Sequence, residues 1–449
     1  MRFARLRRGA ASAVIAVTTC VGMVACASAE QTESAPGGAG FSPVPQDETS
    51  QIVVWADSTR LPAVQQYQKA FPDKKMEVVT YDGGADGSNY LQTKVQLFDR
   101  TGSGWPDVVF GPPVDVTWAS RATGGDAKPF AAPMDTLVDK ATIGNFAAGS
   151  LSPCEFGGHT YCLRNDIAQS VLWYNKKLLD EFGYTVPKTW AEYQALGERV
   201  AKEHPGYLVG AVGDTNAHES YFWASKCPAF QLVDPDTLRV NLQDDRCTRM
   251  ATMLDTLIKA GSVSTQAFFS QGFAKDSGGK VLMAFGPSWY GQYLFNAAFK
   301  TPAGQIAAAV PPQWGDNEPA TGNVGGGIWM VSSHSKNLKA STDLVTWLTT
   351  ANDYQASAPT YPAYAPAAKA WLANPANRSY FAADVTEAFT TAAGQVWKGW
   401  SNTKFSDQNG WSKVVLPALT SGKTLTETLP AWQQAITDEA KSVGYKVTQ

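Results

Sequence analysis

The chain has 449 residues, more than one hydrophobic core usually organises, so two lobes are expected. A hydrophobic content of 44% against 17% charged residues describes a globular protein with an ample core. The formal charge of -3, with no basic cluster, argues against a nucleic-acid partner. Without the four arginines of the leader (Arg2, Arg5, Arg7, Arg8), 33 basic face 40 acidic side chains, a net -7. The 15 Trp, 16 Tyr and 20 Phe suit a ligand with apolar C–H faces, such as a sugar, although most of these rings must fill the core.

Residues 1–25 carry a basic segment and then an apolar one, too short and too soon interrupted for a structural membrane span, and read as an export signal. Met23-Val24-Ala25-Cys26 looks like a bacterial lipobox, which would make Cys26 the lipidated first residue; cleavage near Ala27–Ala29 is the alternative. Residues 26–49 are rich in Ser, Pro and Gly and read as a flexible tether.

From Gln51 to Trp55 the apolar run predicts a strand, followed by a helix over 62–71, a strand over 76–81, a helix over 89–100 and the strand PDVVF, 106–110. Strand and helix alternating in this way predict a parallel sheet with covering helices. Ligands gather beyond the carboxyl ends of such strands, which singles out Asp57, Ser58, Asp82, Gly111 and Pro112. Ala168 to Tyr174 reads as a buried strand, and Lys176 to Phe182 as a helix that Gly183 caps in the left-handed conformation. Thr189-Trp190-Ala191-Glu192 is a capping box that opens the next helix. The run from Asp214 to Trp223 mixes hydrogen-bonding groups with rings. It suits a sugar subsite through Glu219 and Trp223, or else a capped helix start with core aromatics. A helix is predicted over 246–260, a strand over 279–285, a helix from about Ser335 and a last helix over 425–443, with Trp397, Trp400 and Trp411 marking the final segments.

The stretch YNKKLLDEFGYTVPKTWAEY (174–193) resembles the signature of extracellular solute-binding proteins of ABC importers, in particular the carbohydrate-binding, maltose-binding-protein-like group. The PDVV run and the Gly279-Lys280 strand with the Gly286-to-Gly291 turn are similar to the same family. The resemblance implies an α/β, two-lobed periplasmic-binding-protein fold of type II-like topology with three hinge crossings. Lobe 1 would comprise 50–165 and 326–365, and lobe 2 would comprise 166–325 and 366–449. It places the first crossing at Arg164 to Asp166, the second at Gly326 and Gly327, and the third near Tyr364, with Trp289 stacking on ligand. Trp400 completes the expected ligand-binding set.

The function implied is capture of a di- to tetrasaccharide between the lobes and delivery to membrane permease subunits. The protein would be a monomer without cofactor, metal or catalytic residue, held on the outer face of the plasma membrane by its lipid. A secreted carbohydrate-active enzyme, or a binder of a non-sugar solute, is the alternative. Four cysteines outlast the leader and allow three pairings; Cys154–Cys162 and Cys227–Cys247 each close a short local loop, with a zinc site as the rival. The four histidines (His159, His204, His218, His334) form no metal pair of helical spacing, and neither a phosphate loop nor a nucleophile elbow is complete.

Overall fold

The computed structural model describes residues 41–81, 90–121, 128–315 and 318–449; Cys26 and Asp82 lie outside them. Strand β1 (Ile52–Ala56) leads through helix α1 (Leu61–Ala70) to β2 (Met76–Thr80), then through α2 (Tyr90–Thr101) to β3 (Val108–Gly111). β1 lies between β2 and β3 and is parallel to both. Ile52, Val54, Val108 and Val109 are fully buried, which explains why these β-branched runs read as strands.

Two later segments complete this sheet. Strand β4 (Leu163–Arg164) lies at one edge, and β8 (Ile328–Val331) runs antiparallel between it and β3. A second sheet forms from β5 (Ser170–Asn175), β6 (Met283–Pro287) and β7 (Ile306–Ala309), with β5 in the centre and both neighbours antiparallel to it. The two sheets and the helices on them make two lobes.

Local chemistry decides several boundaries. Helix α3 (Lys176–Phe182) starts where Asn175 accepts the Leu178 N–H and ends at Gly183, whose φ of 68° is left-handed. Helix α4 (Trp190–Glu203) opens on the expected capping box, with Thr189 and Glu192 satisfying each other's backbone N–H groups. Such a cap is worth about 1 kcal/mol. β5 begins two residues later than expected, because Ala168 takes a φ of 60°. The strand expected from Gly279 begins only at Met283, since Gly278–Lys280 coil into a tight turn.

Trp173 of β5 is fully buried against Phe295, Phe381 and Phe389, with ring centroids 5.6–6.1 Å apart. Its truncation to Ala is expected to cost about 3–5 kcal/mol. Further helices include α5 (Ala217–Ala224), α6 (Asp245–Ala260), α7 (Leu338–Thr350) and α8 (Leu425–Ser442). The cysteines pair as Cys154–Cys162 and Cys227–Cys247, and the second bridge fastens the end of α5 to the start of α6.

Candidate functional site

Where the chain passes between the sheets, three segments lie side by side. Gln169 bridges to Asn323, Asp166 bridges to Pro362, and Tyr364 pairs with Phe146. Arg164 and Asp166, expected at the cleft mouth, are each 2% exposed and act as staples in this bundle. The Arg164 guanidinium donates to the carbonyls of Asp166, Ile167 and Gly325 at 3.0–3.2 Å. Burial pushes its pKa down to about 10, and the Asp166 charge opposes that shift. Asp166 in turn accepts the Gly327 N–H at 2.7 Å.

The glycines of the second crossing are explained by close approach. A Cβ on Gly326, whose φ is 82°, would lie 2.2 Å from Arg164 Nη2, and one on Gly327 would lie 2.0 Å from the Phe110 ring. Tyr364 packs its ring edge against Phe146 at 5.3 Å and stays with the third segment.

A cavity of about 460 Å³ opens beside this hinge. One wall is the turn after β3 (Pro112, Pro113, Val114), and Arg164, Asn323 and Gly325 form its base. The opposite wall is Glu219 and Trp223 of α5 together with Trp400 and the loop through Gln408. Five expected residues therefore meet here: Pro112, Arg164, Glu219, Trp223 and Trp400. The indoles of Trp223 and Trp400 lie 4.9 Å apart, and each N–H is fixed by a carbonyl, of Trp397 and Cys227 respectively, at 2.6 Å. Locked rings of this kind offer an apolar face without losing rotamer freedom on binding. Asn402 reaches across the cavity mouth to the carbonyls of Pro113 and Pro153, so the two walls already touch.

Trp289 sits elsewhere. Half-buried just after β6, it donates its indole N–H to Val324 O at 3.0 Å and clusters with Phe269, Tyr290 and Tyr293. Trp289 does not line the Trp223–Trp400 cavity, although its partner Val324 stands between two residues that do, Asn323 and Gly325. Tyr293 feels the charges of Arg60, Asp166 and Asp57, and burial raises its phenol pKa. Asp57 is tied to Arg60 at 3.3 Å, Arg60 lies over the Phe110 ring at 4.4 Å, and Ser58 is exposed beside them. Gly111 packs under Asp115, whose carboxyl is buried and pushed up to about 7 by desolvation, with a hydrogen bond from Trp118 opposing the shift.

Sequence reasoning found Glu219 but missed the polar groups around it. Glu219 is buried, and burial followed by the negative field of Asp407 drives its pKa well above the usual carboxylate range; donors on Gln408 and the Gly325 backbone pull the other way. Gln408 Nε2 donates to Glu219 at 2.7 Å. Asp407 and Gln408 stand almost two hundred residues away from Glu219 in a segment without periodic pattern, so only the fold brings them there. Asn402 carried no local signal either. The run from Asp214 opens helix α5 without a side-chain cap on Asn216 and contributes both core rings and cavity-lining groups. Tyr221 and Phe222 fill the core, while Glu219 and Trp223 face the cavity.

Solved structures show the same architecture. The galacto-N-biose-/lacto-N-biose I-binding protein of Bifidobacterium longum superposes with a TM-score of 0.72 at 19% identity, over 90% of this chain and 100% of that one. The ABC-transporter-associated binding protein of B. animalis subsp. lactis, solved with β-1,6-galactobiose, gives 0.71 at 19% identity, over 89% and 99%. Both are two-lobed binding proteins, and the likeness fixes the fold class. Residues 50–355 match the bacterial extracellular solute-binding protein family, and the chain belongs to it.

Among curated relatives, an arabinooligosaccharide-binding protein of Halalkalibacterium halodurans is 22% identical over 64% of this chain and 63% of its own length. A probable ABC transporter-binding protein of Deinococcus radiodurans is 26% identical over 41% and 46%. The matches thus span from under half to just under two thirds of those relatives. Among the described residues no helix is long and apolar enough to cross a membrane.

Proposed function

We propose that the protein captures a di- to tetrasaccharide between its lobes and presents it to the membrane subunits of an ABC importer, without changing it chemically. The observation that carries this reading is the 460 Å³ cavity, which has fixed indoles on one wall and amide and carboxyl groups on its floor and mouth. Its volume falls within the roughly 300–1,000 Å³ of small-ligand sites. Trp223 and Trp400 supply apolar faces for pyranose C–H groups, while Glu219, Gln408, Asn323 and Asn402 supply partners for hydroxyls. Trp289, with Tyr293 and Asp57, forms a second ring-and-carboxylate patch across the crossing, suited to a further sugar unit.

The neighbours support the substrate class, since one was solved with β-1,6-galactobiose and a relative is named for arabinooligosaccharides. Movement would be hinge closure about the three adjacent segments, with lobe limits at 50–165 plus 326–365 and 166–325 plus 366–449. Lipidation at Cys26 would hold the protein outside the cell, and the two or three acyl chains of a lipoprotein would be needed, because one alone holds weakly. The testing experiment is a thermal-shift screen against di- to tetrasaccharides, followed by intrinsic tryptophan fluorescence and product analysis on each hit. Saturable binding with intact sugar is expected; turnover of the sugar would instead favour a carbohydrate-active enzyme.

A further inference from the structure

The same floor holds a group of metal-capable donors, of which the sugar reading uses only Glu219. His218 of α5 is fully buried, and its ring is enclosed by Trp411, Trp400, Trp432 and Phe230 at 5.4–6.3 Å. Neither ring nitrogen has a hydrogen-bond partner. Nε2 nevertheless faces the Asp407 carboxylate, 3.4 Å from Oδ2 but not aligned for a hydrogen bond. Glu219 lies next along the helix, and one donor atom from each of His218, Glu219 and Asp407 falls within 4.8 Å of the others. No Lys or Arg among the described residues is ion-paired with either carboxylate.

An unpaired carboxylate buried beside a second one is expensive, and so is a buried imidazole with no partner. A single divalent cation would remove both costs. It would neutralise the two carboxylates and use the free lone pair on Nε2.

We propose that His218, Glu219 and Asp407 form a divalent transition-metal site, with zinc the best match to one imidazole and two carboxylate ligands. Ligand distances of about 2.0–2.2 Å are reached by small side-chain movements from the observed spacing. Asp407 is 31% exposed, and it and Glu219 line the cavity, so the fourth coordination position opens into the cleft. Three protein ligands with one open position describe a site that accepts an oxygen from an incoming molecule. The Nδ1 atom lacks the acceptor that usually strengthens a metal-bound imidazole, a loss of about 10–100-fold in affinity. The metal is therefore held exchangeably. Metal binding does not depend on the sugar reading, because it is measured without any sugar present.

The test uses the full mature chain, stripped with EDTA and titrated with zinc chloride alone by calorimetry and by thermal melting. One ion per chain, a raised melting temperature and an affinity at least about tenfold weaker in Asp407→Asn and Glu219→Gln are expected. His159 pairs with Asp135 at 2.8 Å, both half-buried, so Asp135→Asn is the control and should bind zinc as the parent does. Asp407→Asn changes a part-exposed side chain and avoids the folding risk of replacing His218. Equal zinc affinity in parent and Asp407→Asn, or no zinc or manganese binding at about 1 mM, would overturn the assignment. So would binding that is lost in Asp135→Asn instead.

Discussion

The hinge and the cavity floor both bury charge, and they resolve it in opposite ways. At the hinge, Arg164 and Asp166 are held by backbone: Arg164 donates to the carbonyls of Asp166 and Ile167 in its own segment and of Gly325 in the second crossing, and Asp166 accepts the Gly327 N–H. At the floor, Glu219 and Asp407 repel each other and His218 has no partner at all. Buried charge that is fully satisfied stabilises one geometry. Buried charge left partly satisfied favours whatever arrives to complete it. The difference teaches that burial and ionisability alone do not mark a ligand site; the test is whether the protein has already supplied the partners.

The sharpest way to break this contrast is Asp166→Ala. It removes the acceptor for the Gly327 N–H and leaves the buried Arg164 guanidinium without its countercharge. A loss of about 3–5 kcal/mol in urea-unfolding stability is expected. A loss below about 1 kcal/mol would mean that the hinge is held mainly by its backbone bridges.

Next in size is Asp115→Asn. Its folded pKa, about 7 against an ordinary 3.8, means that the folded state prefers the protonated form. Below the ordinary value the carboxyl is neutral in both states and imposes no penalty. As pH rises toward about 7 the unfolded state ionises first, so stability is lost across that window. At about 1.4 kcal/mol per unit, the amide variant should gain up to about 4 kcal/mol relative to the parent between pH 4 and pH 8. Glu219→Gln should show a gain of the same sign, because its carboxyl is also pushed upward by burial and by Asp407. Parallel stability–pH curves for parent and variant would contradict the assignment in either case.

Smaller is the effect of the rings. Trp223→Ala should weaken oligosaccharide binding by about tenfold to a hundredfold, or 1.4–2.8 kcal/mol, as read by calorimetry. Trp289→Ala, in the separate patch, should weaken longer sugars more than disaccharides. Equal weakening by both variants for every sugar length would merge the two patches into one subsite.

How far these regions could be read beforehand differs for a physical reason. Local rules carried the helices: the Thr189–Glu192 box and the left-handed Gly183 depend only on neighbours in sequence. The parallel order of β1 to β3 followed from alternation of strand and helix. The second sheet did not, because β5 joins partners more than a hundred residues later, and no local pattern announces an antiparallel pairing of that span. Trp223 and Trp400 were visible as rings, but whether a ring faces a cavity or a core depends on the packing of the whole lobe. Asp407 and Gln408 were invisible because nothing in their own segment requires Glu219.

The smallest effect lies on the boundary between the two regions. Gly325 and Gly326 are consecutive, both left-handed with φ of 73° and 82°, and only the second is pressed against Arg164. A Cβ on Gly325 would meet nothing within 4 Å, so Gly325→Ala should cost only the backbone strain, about 1–2 kcal/mol. Gly326→Ala should cost more, because the guanidinium would have to leave its carbonyl partners. Gly325 also lines the cavity and donates its N–H to Glu219, which makes the pair a probe of both regions. If the hinge and the floor are independent, Gly326→Ala lowers stability while leaving the zinc affinity of the stripped protein unchanged. If both quantities fall together, the saturated and unsaturated charges belong to one coupled network, and the contrast between them is one of degree.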